Sequence, residues 1–343
     1  MPLPIKYCVS LHGAAVQLVN SCVAIDEQIR FFLNPFLLRR YASQSGEFHG
    51  QICPFDIAEV THSLTRAAAS ARYSDGLVEI YSLAEKHWIL DDRWGACEID
   101  LLKHRWKSWV LPTPSLDPVQ LTEAAVLWPM AQVLRSRGVE IVPAISIERA
   151  GWGALVIAPY PIPGEISRII RAGYRVIGQR WTALVLQNGR IVMRHIPGLV
   201  QSPASSGRSI GRRPIWTDLS SDNPWASAEL AWCDAVLTIA PGRRSKTVGR
   251  VVSAAESQMA LRRAWPIPDL PVNRPRLQHP AALLARDCLC LNLQLSRHED
   301  EFLDLVEFAR RRGAVKAQVS INNALRRHFV PARRAEDVIR IAG

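Results

Sequence analysis

Short apolar segments separated by polar turns fill the first third of the chain. Ala15–Val19 has the composition of a strand, and Leu77–Tyr81 and His87–Leu90 flank a short connection as the strands of a hairpin would. A helical repeat of apolar positions is brief here and covers Ile57–Ala69. The pattern therefore predicts a small β-rich or α+β region over residues 1–115.

A proline-rich stretch, Leu111–Pro118, interrupts this pattern and marks a domain boundary. A helix is predicted from Leu121 to Ser136, with a kink or break at Pro129, because proline has no N–H to donate within a helix. Gly138 is a suitable end, since glycine tolerates the left-handed conformation that closes many helices. The second domain is thus predicted to begin at residue 116.

From residue 139 the pattern becomes an alternation of strands and helices. The predicted strands are Val139–Ile145, Ala154–Ala158, Arg175–Ile177, Ala235–Ile239 and Asp287–Leu295. The predicted helices are Glu165–Ala172, Ala254–Arg263 and one that follows the capping box at Ser296 and ends at Gly313. Asn188-Gly189 between two alternating runs predicts a tight hairpin, because both turn residues need positive φ. This alternation predicts an α/β core over residues 116–313, followed by a basic tail over residues 314–343.

Composition narrows the class of protein. The chain has 343 residues and is 48% hydrophobic, enough to bury a sizeable core, and no apolar run approaches the length of a membrane span. The seven cysteines form no C-x-x-C pair, and no histidine lies at zinc-finger spacing, so we expect buried free thiols and no metal site. The N-terminal segment is interpreted as a first strand and not as a signal peptide, and we expect a cytoplasmic protein.

The formal net charge of +11 reflects arginines that cluster in loops and near the C-terminus. Such a surface attracts nucleic acid, anionic membranes or acidic proteins without distinguishing among them. The aromatic residues are not interleaved with the arginines as they are in proteins that bind single strands, which weakens the case for nucleic acid.

The order of elements in the middle of the chain supports a resemblance. A strand, a loop and a helix end in Arg171-Ala172-Gly173-Tyr174-Arg175, and a short strand and a hairpin with Gly189-Arg190 follow. This layout resembles the HPr kinase/phosphorylase-like P-loop proteins over roughly residues 120–312. The resemblance implies a P-loop-kinase-like core with a phosphate-binding loop of Walker A type before the helix and an acidic pair after the next strand. It also implies a setting in bacterial gene clusters that make modified peptides or surface polymers.

The residues that carry the chemistry of that family are missing here. Pro159, Pro161 and Pro163 delete backbone donors from the loop, which also has no lysine, and Glu165 places a negative charge at the helix start. Gly178-Gln179-Arg180 stands where the resemblance places the two carboxylates that hold a metal ion. We therefore expect no catalytic residue, no metal, no cofactor and no binding of ATP with Mg²⁺.

Some residues could still bind an anion at the positions that the nucleotide has lost. The candidates are Gly164 at the helix entry, Gln179 and Arg180 after the short strand, and Arg243, Arg244 and Lys246 in the loop after Ala235–Ile239.

These observations favour a non-catalytic, pseudokinase-like protein that binds or scaffolds a peptide or partner enzyme in a bacterial biosynthetic pathway. One alternative is an active transferase with a rebuilt, arginine-rich anion site. A second is a basic protein associated with nucleic acid. The sequence leaves open the partner, the pathway and whether the chain forms a homo-oligomer.

Overall fold

The computed structural model describes residues 3–36, 47–65, 71–74, 77–111, 116–158, 163–196, 200–201, 216–217, 228–240, 248–263, 280–294, 302–312 and 338–340. These residues form two compact units, which divide between Glu140 and Ile141. Both units combine helices with sheets, and the predicted α/β class is confirmed at that level.

The first unit is built on an eight-stranded sheet, as the β-rich prediction requires. Its strands are Ile5–Leu11 (β1), Ala14–Asn20 (β2), Phe48–Pro54 (β3), Ala71–Ser74 (β4), Val78–Leu83 (β5), Lys86–Asp91 (β6), Gly95–Asp100 (β7) and Arg105–Val110 (β8). They lie in the order β1-β2-β3-β8-β7-β6-β5-β4. Strand β3 runs parallel to β2 and β8, and the other neighbouring pairs are antiparallel. The predicted hairpin is confirmed as β5 and β6.

Two helices accompany the sheet, Asp26–Leu33 (α1) and Ile57–Thr65 (α2). Helix α2 covers part of one sheet face, where Val60 packs against Ala96 and Trp109. Glu59 of the same helix accepts hydrogen bonds from Lys107 and from Trp109 Nε1, the latter at 2.7 Å. These two hydrogen bonds lower the pKa of Glu59 from its ordinary value, with Lys107 making the larger contribution. Helix α2 is therefore fixed to the sheet by both apolar and charged contacts.

The helical segment after β8 begins before the predicted start at Leu121. Asp117 and Gln120 form a capping box, and Pro118 occupies the first helical position, where its missing N–H has no consequence. The segment comprises Pro118–Thr122 (α3), a π turn at Glu123–Leu127, Trp128–Leu134 (α4) and a 3₁₀ turn at Arg135–Arg137. Gly138 ends it with φ of +73°, as predicted. The segment contacts strands of the first unit, so it belongs there and does not open the second domain after residue 115.

The predicted irregularity at Pro129 is observed as the π turn that precedes α4. Because Pro129 has no N–H, the carbonyl of Ala125 lacks the donor that an α-helix supplies from four residues further on. Ser108 Oγ on β8 donates a hydrogen bond of 2.6 Å to this carbonyl, and both groups are buried. A side chain of the sheet thus supplies a donor in place of the N–H that Pro129 lacks.

Replacing Ser108 with alanine is expected to lower the free energy of unfolding by about 1–2 kcal/mol, because a buried carbonyl loses its donor. Urea unfolding of the variant measures the change. The exposed Ser10 on β1 provides the matched control, and Ser10→Ala should change stability by less than about 0.5 kcal/mol. A smaller cost of Ser108→Ala in a Pro129→Ala background, where residue 129 regains an N–H, would confirm the assignment. An equal cost in both backgrounds would contradict it.

The second unit contains a seven-stranded sheet and most of a four-stranded sheet, whose strand Val139–Val142 begins two residues before the division. The seven-stranded sheet has the order β12-β10-β11-β18-β20-β19-β21, and the four-stranded sheet has the order β17-β14-β13-β9. The strands are Val139–Val142 (β9), Ile145–Arg149 (β10), Trp152–Ile157 (β11), Arg175–Gly178 (β12), Thr182–Gln187 (β13), Arg190–His195 (β14), Val200–Gln201 (β15), Trp216–Thr217 (β16), Leu230–Trp232 (β17), Ala235–Ile239 (β18), Val248–Val251 (β19), Leu289–Gln294 (β20) and Val338–Arg340 (β21). Strands β15 and β16 pair with each other.

Four helices of the second unit are described, namely Pro163–Arg171 (α5), Ala254–Arg263 (α6), Pro280–Asp287 (α7) and residues 302–312 (α8). Helices α5 and α8 bury their apolar faces in one core with the seven-stranded sheet, to which Ile166 and Leu305 contribute. The predicted hairpin is confirmed as β13 and β14, with φ of +50° at Asn188 and +76° at Gly189.

Candidate functional site

Five strands of the seven-stranded sheet end at the same edge. Strands β20 and β21 have the same direction, because both are antiparallel to β19, which lies between them. Strand β11 is parallel to β18, and β18 is parallel to β20. Strand β12 has the same direction as β11, because both are antiparallel to β10, which lies between them. Ligands in open α/β sheets bind beyond the carboxyl ends of the strands, so we call this edge the carboxyl edge and treat it as the candidate site.

The start of α5, which follows β11 at the carboxyl edge, holds a carboxylate. Glu165 lies in the first turn of the helix and is 5% exposed. A negative charge there interacts favourably with the partial positive charge of the helix N-terminus. A phosphate bound at this helix N-terminus would be repelled by a carboxylate in the same turn.

The turn after β12 is closely packed. Thr182 Oγ1 donates a hydrogen bond to the carbonyl of Ala144 at 2.9 Å and accepts one from Ser146 Oγ at 2.8 Å. A Cβ atom at Gly178 would lie 2.2 Å from the carbonyl oxygen of Trp181, so this position requires glycine. Gln179 is buried in the turn, and Arg180 is half-buried. The position of the expected acidic pair is thus an ordered turn that carries an amide and a cation.

The structure brings together only some of the predicted site residues. Gly164 lies in the first turn of α5, and Gln179 and Arg180 follow β12, two strands away from β11 and about 10 Å across the sheet. Arg243, Arg244 and Lys246 follow β18 in the chain but lie outside the described residues. The topology therefore assigns Gly164, Gln179 and Arg180 to one sheet edge.

The described part of this site does not fit a nucleotide with Mg²⁺. A divalent ion prefers carboxylate oxygens, and the residues that follow β12 present Gln179 and Arg180. Glu165 does supply a carboxylate, but it lies in the first turn of α5, where its charge opposes a phosphate. No group of three or more potential metal-ligating side chains occurs among the described residues.

A cluster of charged side chains at the opposite edge of the sheet was not predicted from the sequence. Glu307 of α8 accepts hydrogen bonds from Tyr174 Oη at 2.7 Å, from Arg149 Nη1 at 2.6 Å and from Arg310 Nε at 3.0 Å. Burial and the hydrogen bond to Glu307 raise the pKa of Tyr174 well above its ordinary value. Tyr174 is completely buried, so this cluster holds α8 against the strands and serves the fold.

Most of the predicted basic clusters lie outside the described residues. Arg310, Arg311 and Arg312 are described, and within this group Arg310 is bound to Glu307, while the Arg312 guanidinium lies 5.2 Å from the centre of the Phe308 ring. These two arginines are engaged in contacts within α8 and with its neighbours.

Five of the seven cysteines are buried free thiols, as predicted, and Cys8 and Cys53 are half-buried. Within the described parts of the chain, no helix is long and apolar enough to span a membrane.

Comparisons with known proteins give little further information. No protein-family model and no curated protein matches the chain. Among solved structures, the Hpr(Ser) kinase/phosphatase from Coxiella burnetii is similar, with 12% sequence identity and a TM-score of 0.33 over 54% of this chain and 96% of that chain. A TM-score this low supports no transfer of a residue role or an activity.

Proposed function

We propose that the chain is a non-catalytic, pseudokinase-like protein that binds or scaffolds a peptide or a partner enzyme in a bacterial biosynthetic pathway. The buried carboxylate of Glu165 in the first turn of α5 carries the proposal. The first turn of a helix after a strand is where a P-loop protein would bind phosphate, and a carboxylate in that turn opposes an anion.

Three features of the sequence support the same conclusion. Prolines at positions 159, 161 and 163 remove backbone donors, and the segment has no lysine. Gln179 and Arg180 follow β12 in place of two carboxylates. Phosphoryl transfer needs these parts together, because its catalysis consists almost entirely of positioning and charge stabilisation. The loss of several parts leaves a binding role as the better assignment.

Thermal unfolding with nucleotide tests the absence of catalysis. We expect no change in Tm when ATP and Mg²⁺ are added, because a ligand that does not bind the folded state does not stabilise it. A rise in Tm that requires Mg²⁺ would overturn the proposal and indicate a functional nucleotide site.

The rebuilt anion site makes a different prediction, and Arg180 at the carboxyl edge is the observation that favours it. Pyrophosphate without metal should then raise the Tm, and Arg180→Ala should abolish this rise. Arg171→Ala is the matched control, because it removes the same charge from the exposed C-terminal end of α5. No effect of pyrophosphate on the wild type would remove this alternative and support the binding role.

The binding role itself is tested by purifying the tagged full chain from its native host. A protein or peptide that co-purifies in fixed proportion supports the proposal. A purified chain that holds no partner and hydrolyses ATP would contradict it.

A further inference from the structure

Two polar side chains interrupt the apolar strands at the centre of the seven-stranded sheet. Thr238 is the fourth residue of β18 and Asn292 is the fourth residue of β20, and the strand register places them opposite each other. Both side chains are half-buried. Each lies near the carboxyl end of its strand, where ligands bind in open α/β sheets.

The Thr238–Asn292 pair lies on the sheet face that points away from α5 and α8. The neighbours of the pair along the chain belong to the core that those two helices share with the sheet, namely Leu237, Ile239, Leu291 and Leu293. Since successive side chains of a strand point to opposite faces, Thr238 and Asn292 point to the other one. The pair is therefore separated by the sheet from α5 and its Glu165.

Neither side chain of the pair has a hydrogen-bond partner among the described residues. The Oδ1 atom of Asn292 is nevertheless buried. By contrast, the buried Asn20 donates to Asp26 and accepts from the backbone N–H of Cys22, and the buried Thr182 donates to the Ala144 carbonyl. A buried acceptor without a donor costs stability, so this one calls for a donor from a ligand.

The surroundings of the pair are electrically balanced. On one side Asn292 is opposite Arg250 of β19, whose Nη2 donates a hydrogen bond of 2.6 Å to Glu256. On the other side Thr238 is opposite the buried, apolar Ile157 of β11. The complementary ligand group is therefore neutral.

A peptide group fits these requirements. It places an N–H donor and a C=O acceptor side by side, as the Asn292 side-chain amide does, and it satisfies that amide in either of its two orientations. The edge of a nucleic-acid base offers similar groups, but proteins that bind unpaired bases add a ring for stacking. Trp152 is the single aromatic residue of β11, β18, β19, β20, α6 and α7, and it belongs to the core on the opposite face.

We propose that Thr238 and Asn292 bind the backbone of an extended peptide segment. Asn292 Oδ1 accepts from a peptide N–H, while the Asn292 amide N–H and the Thr238 hydroxyl donate to peptide carbonyls. Neighbouring strands lie about 4.8 Å apart, so one extended segment reaches both side chains. The inference rests on the proposed binding role, which it deepens by naming the group recognised.

The test uses the full chain labelled with ¹⁵N at asparagine and an uncharged probe, N-acetyl-trialanine amide. We expect the Asn292 side-chain NH₂ signals, assigned by their loss in Asn292→Leu, to shift on titration to about 10 mM. Thr238→Val should weaken binding about fivefold, because it removes one hydrogen bond and keeps the shape of the side chain. Thr61→Val is the matched control on the exposed side of α2 and should bind within about twofold of the wild type.

Thermal unfolding without the probe gives a second, independent result. Asn292→Leu keeps the number of side-chain heavy atoms and removes the buried acceptor. We expect its Tm to rise by about 2–4 °C, because the cost of the unpaired atom disappears. An asparagine that served only the fold would instead lower the Tm when replaced.

The proposal is wrong if the probe does not shift the Asn292 signals, if Thr238→Val and Thr61→Val bind alike, or if Asn292→Leu does not raise the Tm. It is also wrong if adenosine or acetate shifts these signals and the peptide does not, because the pair would then bind a base or an anion. No nucleotide with Mg²⁺ enters these measurements. A shift of Tm with ATP and Mg²⁺ would overturn the proposed function alone, so the two proposals can fail separately.

Discussion

Replacing Gly95 with alanine is expected to lower the free energy of unfolding of the first unit by about 4 kcal/mol. Gly95 begins β7 with φ of +128°, a conformation that residues with a side chain scarcely adopt. A Cβ atom there would lie 2.1 Å from the carbonyl oxygen of Trp109. This oxygen belongs to the neighbouring strand β8, which pairs with β7 and β3, so it cannot move without disrupting the sheet.

Gly138 separates the two causes of that loss. It also has positive φ, at +73°, but no atom lies within 4 Å of the position that its Cβ would take. Gly138→Ala should therefore cost only the backbone strain, about 1 kcal/mol. Urea unfolding measures both variants, and hydrogen exchange should increase in peptides from β7 and β8 for Gly95→Ala alone. Equal losses of stability in the two variants would show that the contact with Trp109 is unimportant.

The elements that the sequence predicted well are those whose cause is local. The Asn188-Gly189 hairpin follows from the positive φ of two adjacent residues, and both are observed with it. The helix over residues 302–312 follows from an apolar stripe that includes Phe302, Leu305 and Val306, all of which are buried. No knowledge of the rest of the chain is needed to infer either element.

The domain boundary depended on contacts that the sequence does not display. The proline-rich stretch before Pro118 looked like a linker, but Asp117 and Pro118 are the cap and first residue of the helical segment. That segment packs on the first unit because Ser108 and the neighbouring strands are complementary to it. A break in composition therefore marked the start of a helix and not the end of a compact unit.

Neighbours along the chain and neighbours across a sheet differ in how far the sequence could predict them. Glu165 was recognised from one short segment, because a helix start with three prolines and a carboxylate is visible in consecutive residues. On the eight-stranded sheet, Gln17 and Arg105 lie in one row on either side of His49, and they do so only because β3 runs parallel to both β2 and β8. Alternation predicts that such residues face outward, but it does not predict which strands are neighbours.

The second large effect is expected at Glu307, which connects α8 to the strands of the second unit. Burial opposes its ionisation, but hydrogen bonds from Tyr174 and Arg310 and the charge of Arg149 outweigh that effect and lower its pKa. Glu307→Gln should reduce the free energy of unfolding by about 2 kcal/mol at neutral pH, because three donors lose a charged acceptor. Glu307→Ala should cost about 3 kcal/mol, since it also leaves the buried Tyr174 hydroxyl without its acceptor. The exposed Asp304 on the same helix is the control, and Asp304→Asn should have an effect below about 0.5 kcal/mol.

The dependence of this effect on pH distinguishes the charge from the shape of the side chain. Because the pKa of Glu307 is lower in the folded state, its charge contributes fully above the unfolded value of about 4.3 and is lost as the pH falls through the folded value. The stability difference between the wild type and Glu307→Gln should therefore be constant near neutrality and shrink in acid. Urea unfolding at a series of pH values measures it. A difference that is independent of pH down to the acid limit would mean that glutamine fails for steric reasons, and that the ionised carboxylate does not hold α8 in place.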